Sequence, residues 1–171
     1  MIRFLLVLLI LVPAAPGSAH DIEVCGPAQV FFSPEEGCAK AILSGIERAM
    51  RTILVQSYSF TSAPLAGALI KAHERGVAVQ VILDRSQEMA QGALGGQLKA
   101  AGIRIVYDDE HRIDQNKMMI IDKETVYTGS LNFTGACEYL NANILLVLRS
   151  SELAGIYSAN WQEHQEHSSE K

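Results

Sequence analysis

The chain has 171 residues, 49% of them hydrophobic and 19% charged, with a formal net charge of −5. That length supports one domain with a buried core and leaves too little chain for two. The acidic balance argues against a protein that coats nucleic acid by bulk charge, although a local basic patch remains compatible with it.

The chain opens with Arg3, an unbroken apolar run from Phe4 to Val12 and the small-residue stretch Pro13 to Ala19. This is the composition of an export signal, and the run is too short to span a bilayer as a helix. Residues 1–19 therefore read as a signal peptide and 20–171 as the domain, which places it in the periplasm or outside the cell. Cleavage would remove Arg3 and no acid, moving the net charge from −5 to −6. In an oxidising compartment Cys25 and Cys38 could pair across a short loop, or all three cysteines, with Cys137, could stay as thiols. Their spacing is not that of a zinc module.

From Val30 the chain alternates strand and helix. Val30 to Phe32 reads as a strand, and Ser33-Pro34-Glu35-Glu36 as an N-cap, first-turn proline and capping glutamate for a helix whose stripe is Ala39, Ile42, Leu43, Ile46 and Met50. Thr52 to Ser57 is β-rich, Ser62 and Pro64 open a second helix, and Gly76 closes it. Val77 to Leu83 is an almost wholly apolar strand. A third helix is predicted over 86–101, interrupted near Leu94-Gly95-Gly96-Gln97, which lacks the ending of a phosphate loop. Ile103 to Tyr107 follows as a strand. Lys117 to Ile121 and Thr125 to Thr128 are then separated only by Asp122-Lys123-Glu124, a hairpin spacing, and Ile144 to Leu148 is the last strand. A final helix from Ser151 turns Leu153, Ile156, Tyr157 and Trp161 inward, and the tail from Gln162 reads as frayed. The fold class is α/β, a mixed, largely parallel β-sheet flanked by helices in a single domain.

Chemistry concentrates in Gln115-Asn116-Lys117-Met118-Met119-Ile120-Ile121-Asp122 and the later Gly129-Ser130-Leu131-Asn132. On a strand, Gln115 and Lys117 share a face while Asp122 has the opposite parity, so Asp122 is better placed to support structure than to meet a ligand. An ammonium beside four apolar residues is costly without an anionic partner, and phosphate is one such partner. Ser130 and Asn132 can add hydroxyl and amide donors to the same oxygens. The bland alternatives are a snorkelling surface lysine and ordinary turn residues after Gly129.

Lysine, four residues, aspartate, six residues and Gly-Ser resembles the motif of the phospholipase D superfamily, in which histidine stands two residues before the lysine. Phe32-Ser33-Pro34, the run from Val55 to Ser62 and the run from Thr128 to Thr134 are similar to its small, single-motif bacterial endonucleases. The resemblance covers about residues 30 to 161. It implies a phosphodiesterase, with nucleic acid as the first substrate class and phospholipid head groups as the alternative, no cofactor and no metal. It also implies a homodimer, because one motif per chain supplies only half a site.

Gln115 occupies the position of the family's nucleophilic histidine. A carboxamide neither attacks phosphorus usefully nor carries a proton near neutral pH, so activity is expected to be impaired or lost while binding survives. Asn143 likewise stands where the family often has glutamate. His111 shares the parity of Gln115 but would lie about 13 Å away on a straight strand. His164 and His167, with Glu163 and Glu166, are read as part of a solvated terminus, not as metal ligands. His73 is read as solvent-facing.

Overall fold

The computed structural model describes residues 26–136 and 140–170. The proposed signal peptide, Cys25 and Cys137 lie outside the described residues. Seven strands form one sheet in the order β1-β7-β6-β5-β2-β3-β4. They are β1 (Ala28–Ser33), β2 (Thr52–Ser57), β3 (Ala78–Asp84), β4 (Arg104–Asp108), β5 (Lys117–Ile121), β6 (Thr125–Gly129) and β7 (Asn143–Arg149). The helices described in full are α1 (Cys38–Arg48), α2 (Ala63–Glu74), α3 (Gly95–Ala100) and α4 (Ser151–His167).

The sheet is mixed and flanked by helices, as the sequence predicts. Among the seven strands, parallel pairing is confined to β2 with β3 and β3 with β4. β5 runs antiparallel to β2, and β6, β7 and β1 continue antiparallel from it. The parallel share is thus smaller than the strand-helix alternation suggests, because β1 joins the far edge beside β7 instead of neighbouring β2.

Strand parity divides the core in two. Val55, Met119, Ile121 and Tyr127 pack with Ile42, Ile46, Leu65 and Leu69 of α1 and α2. Met118, Ile120 and Val126 face the other way, against Leu153, Ala154 and Trp161 of α4. The buried Trp161 indole N–H donates to the Val55 carbonyl at 2.9 Å, so the ring satisfies its one polar atom while filling the second core.

Three local expectations are corrected. α1 starts at Cys38, not after Ser33, because Glu36 turns back: its backbone N–H donates to the Phe32 carbonyl and its carboxylate accepts from the Phe32 N–H, both at 2.9 Å. Ser33 is drawn off to Asn141 and Asn143 instead of capping. The helix expected over 86–101 is reduced to a 3₁₀ turn (Arg85–Gln87) and the short α3. Asp84 caps that turn through Ser86, Gly92 adopts φ 79°, and the Leu94 N–H donates to the Phe60 carbonyl. Finally, the polar tail is helical to His167 and is held beyond it, where Ser169 exchanges backbone hydrogen bonds with Tyr107. His73 is half-buried against Gly102, not solvent-facing. Cys38 is buried and has no disulfide partner among the described residues, and burial raises its thiol pKa.

The β5–β6 turn shows why Asp122 stands where it does. Asp122 and Lys123 have φ of 55° and 57°, the doubly left-handed geometry of a tight hairpin. Aspartate tolerates this region better than most residues. Its carboxylate accepts from the N–H groups of Met50, Arg51 and Thr52 at 2.9, 2.7 and 2.9 Å. Burial alone would raise its pKa, but those donors and the Arg51 charge outweigh burial and hold it below the usual carboxylate value.

A depressed folded pKa contributes stability that is present above the unfolded value, about 3.9, and is lost as pH falls through the folded value. Asp122→Asn, which also tolerates the left-handed turn, is therefore expected to lower stability by about 1–3 kcal/mol at pH 7. The deficit should shrink below about pH 4, as read by urea denaturation at several pH values.

Candidate phosphodiester site

Strand register gathers most of the motif at one end of the sheet. Lys117 opens β5 opposite Ser57, where β2 ends. Gly129 ends β6 opposite Leu145, and Asn143 opens β7 opposite Ser33, where β1 ends. Gln115 precedes β5 in irregular backbone and is exposed. Its side chain nevertheless meets Lys117, whose Nζ donates to the Gln115 backbone carbonyl at 2.8 Å and to Oε1 at 3.1 Å. Among the described residues no carboxylate forms an ion pair with this ammonium. Asp122, at the opposite end of β5, is remote from it.

Gly129 is required by space: a Cβ there would lie 2.1 Å from the Ile144 carbonyl oxygen, and its φ is 148°. That close approach delivers Ser130, whose N–H donates to the Ile144 carbonyl and whose Oγ accepts from the Ile144 N–H, both at 3.0 Å. The hydroxyl proton remains available to a ligand oxygen. Asn132 is half-buried, and its Oδ1 has no hydrogen-bond partner among the described residues. Its neighbour Phe133 is fixed edge-on to Phe60, with ring centroids 6.1 Å apart. Asn143 is engaged differently: its Nδ2 donates to Ser33 Oγ at 3.2 Å and to the Asn141 carbonyl at 3.1 Å. It ties β7 to β1 at the site's margin.

Beneath Gln115 lies a buried polar brace that sequence reasoning missed. The Asp114 N–H donates to Asp84 Oδ2 at 2.7 Å, while the Asp114 carboxylate accepts from Gln56 Nε2 at 2.8 Å and from the Asn116 N–H at 3.0 Å. Gln56, Asp84 and Asp114 are at most 2% exposed. The visible signal was a glutamine in an apolar strand and an aspartate closing another, at the carboxyl ends where α/β sheets build sites.

A second missed group adjoins it. Asp108, fully buried at the end of β4, meets His164 Nδ1 at 2.7 Å, His111 Nδ1 at 3.0 Å and His167 Nε2 at 3.4 Å. Burial works against its ionisation, but the bonds from His164, His111 and His167 prevail and lower its pKa to about 2. The histidines expected to fray in solvent are thus ordered, because the helix carries them to this carboxylate. His111 is committed here too, and among the described hydrogen bonds none joins it to Gln115 or Lys117.

A cleft of about 630 Å³ opens between this end of the sheet and α4, lined in part by Asn116, Lys117, Met118, Thr128, Tyr157 and Glu163. Another, of about 660 Å³, lies around Asp122, Tyr127 and Arg149 and contains none of Gln115, Lys117, Ser130, Asn132 or Asn143. Of those five residues the first cleft contains Lys117 alone.

The family profile described as "Cardiolipin synthase, PLD-like domain" matches residues 42–164. The chain belongs to the phospholipase D-like family. This member is 39% identical over 130 residues to a "Phospholipase D" of Rickettsia conorii, covering 76% of this chain and 65% of the relative. It is 31% identical over 121 residues to a "Mitochondrial cardiolipin hydrolase" of Xenopus tropicalis, covering 68% and 58%. The chain thus spans about two thirds or less of these relatives' length. Among solved structures it is similar to Nuc of Salmonella typhimurium, a phospholipase D family member, with 30% identity and a TM-score of 0.81 over 85% of this chain and 97% of that one. The mixed seven-stranded sheet flanked by helices matches that fold.

Asp114→Ala would leave the buried Gln56 amide and the Asn116 N–H without their acceptor. A loss of about 2–4 kcal/mol is expected, together with faster hydrogen exchange at Asn116 and Lys117, measured by urea titration and exchange mass spectrometry.

Proposed function

We propose that this phospholipase D-like chain binds the phosphodiester groups of nucleic acid in a site shared by two copies, with hydrolysis impaired or lost through Gln115. The observation that carries the reading is Lys117: an ammonium at the sheet end whose side-chain hydrogen bonds, among the described residues, go to oxygens of Gln115. Carbonyl oxygens leave its positive charge uncompensated, and a phosphate would compensate it. In the family chemistry an imidazole attacks phosphorus and a second one protonates the departing oxygen. Gln115 could fill neither role, and in a symmetric pair the loss would occur twice.

Support for a second copy comes from an uncovered apolar strip. Val30, Phe32 and Ile144 are 49%, 48% and 44% exposed. Register pairs Val30 with Leu146 and Phe32 with Ile144 on the face that α4 leaves open. The strip adjoins Asn143 and Ser130, at the same end of the sheet as Lys117. Export is inferred from the apolar run Phe4 to Val12 and its small-residue flank.

Phospholipid is the second reading, favoured by the names of the phospholipase D and cardiolipin hydrolase relatives. Side-by-side assays of DNA and phospholipid vesicles with the Gln115→His protein separate the two.

Restoring imidazole by Gln115→His is expected to raise metal-free hydrolysis of bis(4-nitrophenyl) phosphate by about 10²-fold or more. A rate that the substitution does not raise, in a chain already active, would sink the account of Gln115. Lys117→Ala is expected to weaken salt-dependent binding of single-stranded DNA by about tenfold or more with the fold unchanged. Equal binding by both proteins in fluorescence anisotropy would remove the phosphate site.

A further inference from the structure

Four side chains from two distant parts of the chain converge at the end of β4. Asp108 closes the strand, and His111 lies three residues on in the loop. His164 and His167 are three apart in the last turn of α4 and so share a helix face. Their candidate ligand atoms all lie within 4.8 Å of one another. The three imidazole centroids are 4.8, 5.1 and 5.1 Å apart.

Hydrogen bonding alone is a poor use of this arrangement. Three ring nitrogens aim at one atom, Asp108 Oδ2, whose neighbour Oδ1 already accepts from the His111 N–H at 3.2 Å. A neutral imidazole has one donor and one acceptor nitrogen. Three rings turned onto one oxygen spend only donors and compete for the same lone pairs. A divalent cation would instead draw imidazole lone pairs and the carboxylate to one point.

We propose that Asp108, His111, His164 and His167 form a closed structural site for a late first-row divalent cation, zinc foremost, fastening the end of α4 to the segment before β5. Three imidazoles and one carboxylate, without thiolate, suit zinc and its neighbours and not the oxygen-seeking calcium or magnesium. A tetrahedron with bonds of about 2.0–2.2 Å needs ligand atoms about 3.4 Å apart. The present spread closes by side-chain torsion, for which the rings have room: the side chains of His111, His164 and His167 are 48%, 13% and 28% exposed. With four protein ligands no position stays open for substrate, so the role is to hold structure. The second nitrogen of His164 reaches the motif, 3.4 Å from Nδ2 of Asn116, between Gln115 and Lys117. The cation site is separate from the phosphodiester reading and stands whether or not hydrolysis is found.

The test uses the full chain without a polyhistidine tag, stripped with chelator and titrated with zinc chloride by calorimetry and thermal unfolding. One zinc per chain is expected, with a melting temperature raised by about 5–10 °C at a zinc concentration about 100 times the Kd. The double variant His164→Gln/His167→Gln should lose both effects. Because that pair also anchors α4, His111→Gln, on the most exposed ring, is the second variant: it should weaken zinc binding at least tenfold with unchanged circular dichroism. Cobalt should give a tetrahedral absorption band in the unaltered chain and a weaker one in His111→Gln. Zinc uptake that His111→Gln leaves unchanged, or no thermal shift at large zinc excess, overturns the proposal.

Discussion

Lys117 stands opposite Ser57 because β5 runs antiparallel to β2, and that one pairing joins the parallel half of the sheet to the antiparallel half. Its two ends are secured differently. At one, the Asp122 carboxylate gathers three N–H groups entering β2. At the other, the Asn116 carbonyl accepts from the Tyr58 N–H and Asp114 reaches Gln56. A slip of one residue would turn Met119 and Ile121 out of one core and Met118 and Ile120 out of the other, so the pairing is specified on both faces. The ammonium at the sheet end inherits that precision.

What could be read beforehand follows from how local each signal is. Apolar runs placed β2 to β7 to within one or two residues, and the Ser62, Pro64 and Gly76 signals bounded α2, because these depend on a few adjacent side chains. The motif spacing led to the family for the same reason. Ser33 and Glu36 misled because the same atoms that could cap a helix were taken by a turn and by Asn143, which is 110 residues away. The histidines of α4 misled more deeply. Nothing within the tail says that Asp108 waits beside it, since a helix of low amphipathicity acquires its order from Trp161 and from the sheet end it meets.

The candidate site shows the same division. Gln115 and Lys117 were legible as a pair, and the structure brings their side chains together although Gln115 lies outside the strand on which the parity argument placed it. Asn143 was legible as a departure from a family pattern, yet its amide is occupied by Ser33 and Asn141. Gln56, Asp84 and Asp114 were not legible, because a buried polar network is defined by partners 30 to 58 residues apart. Together they shape the backbone that presents Gln115, so any change of chemistry at that position acts on a preformed frame.

The two margins of the sheet are not alike. β4 lies at one margin, and Ser169 covers the last part of its edge by exchanging two backbone bonds with Tyr107, while Glu170 pairs with Arg104. Among the described residues β1, at the other margin, has β7 on one side only. A row of backbone donors and acceptors left open on one side is a template for another extended segment. Any lengthening of this sheet across molecules would therefore be one-sided, starting from β1 and stopped at the far margin by the Ser169–Tyr107 pairing.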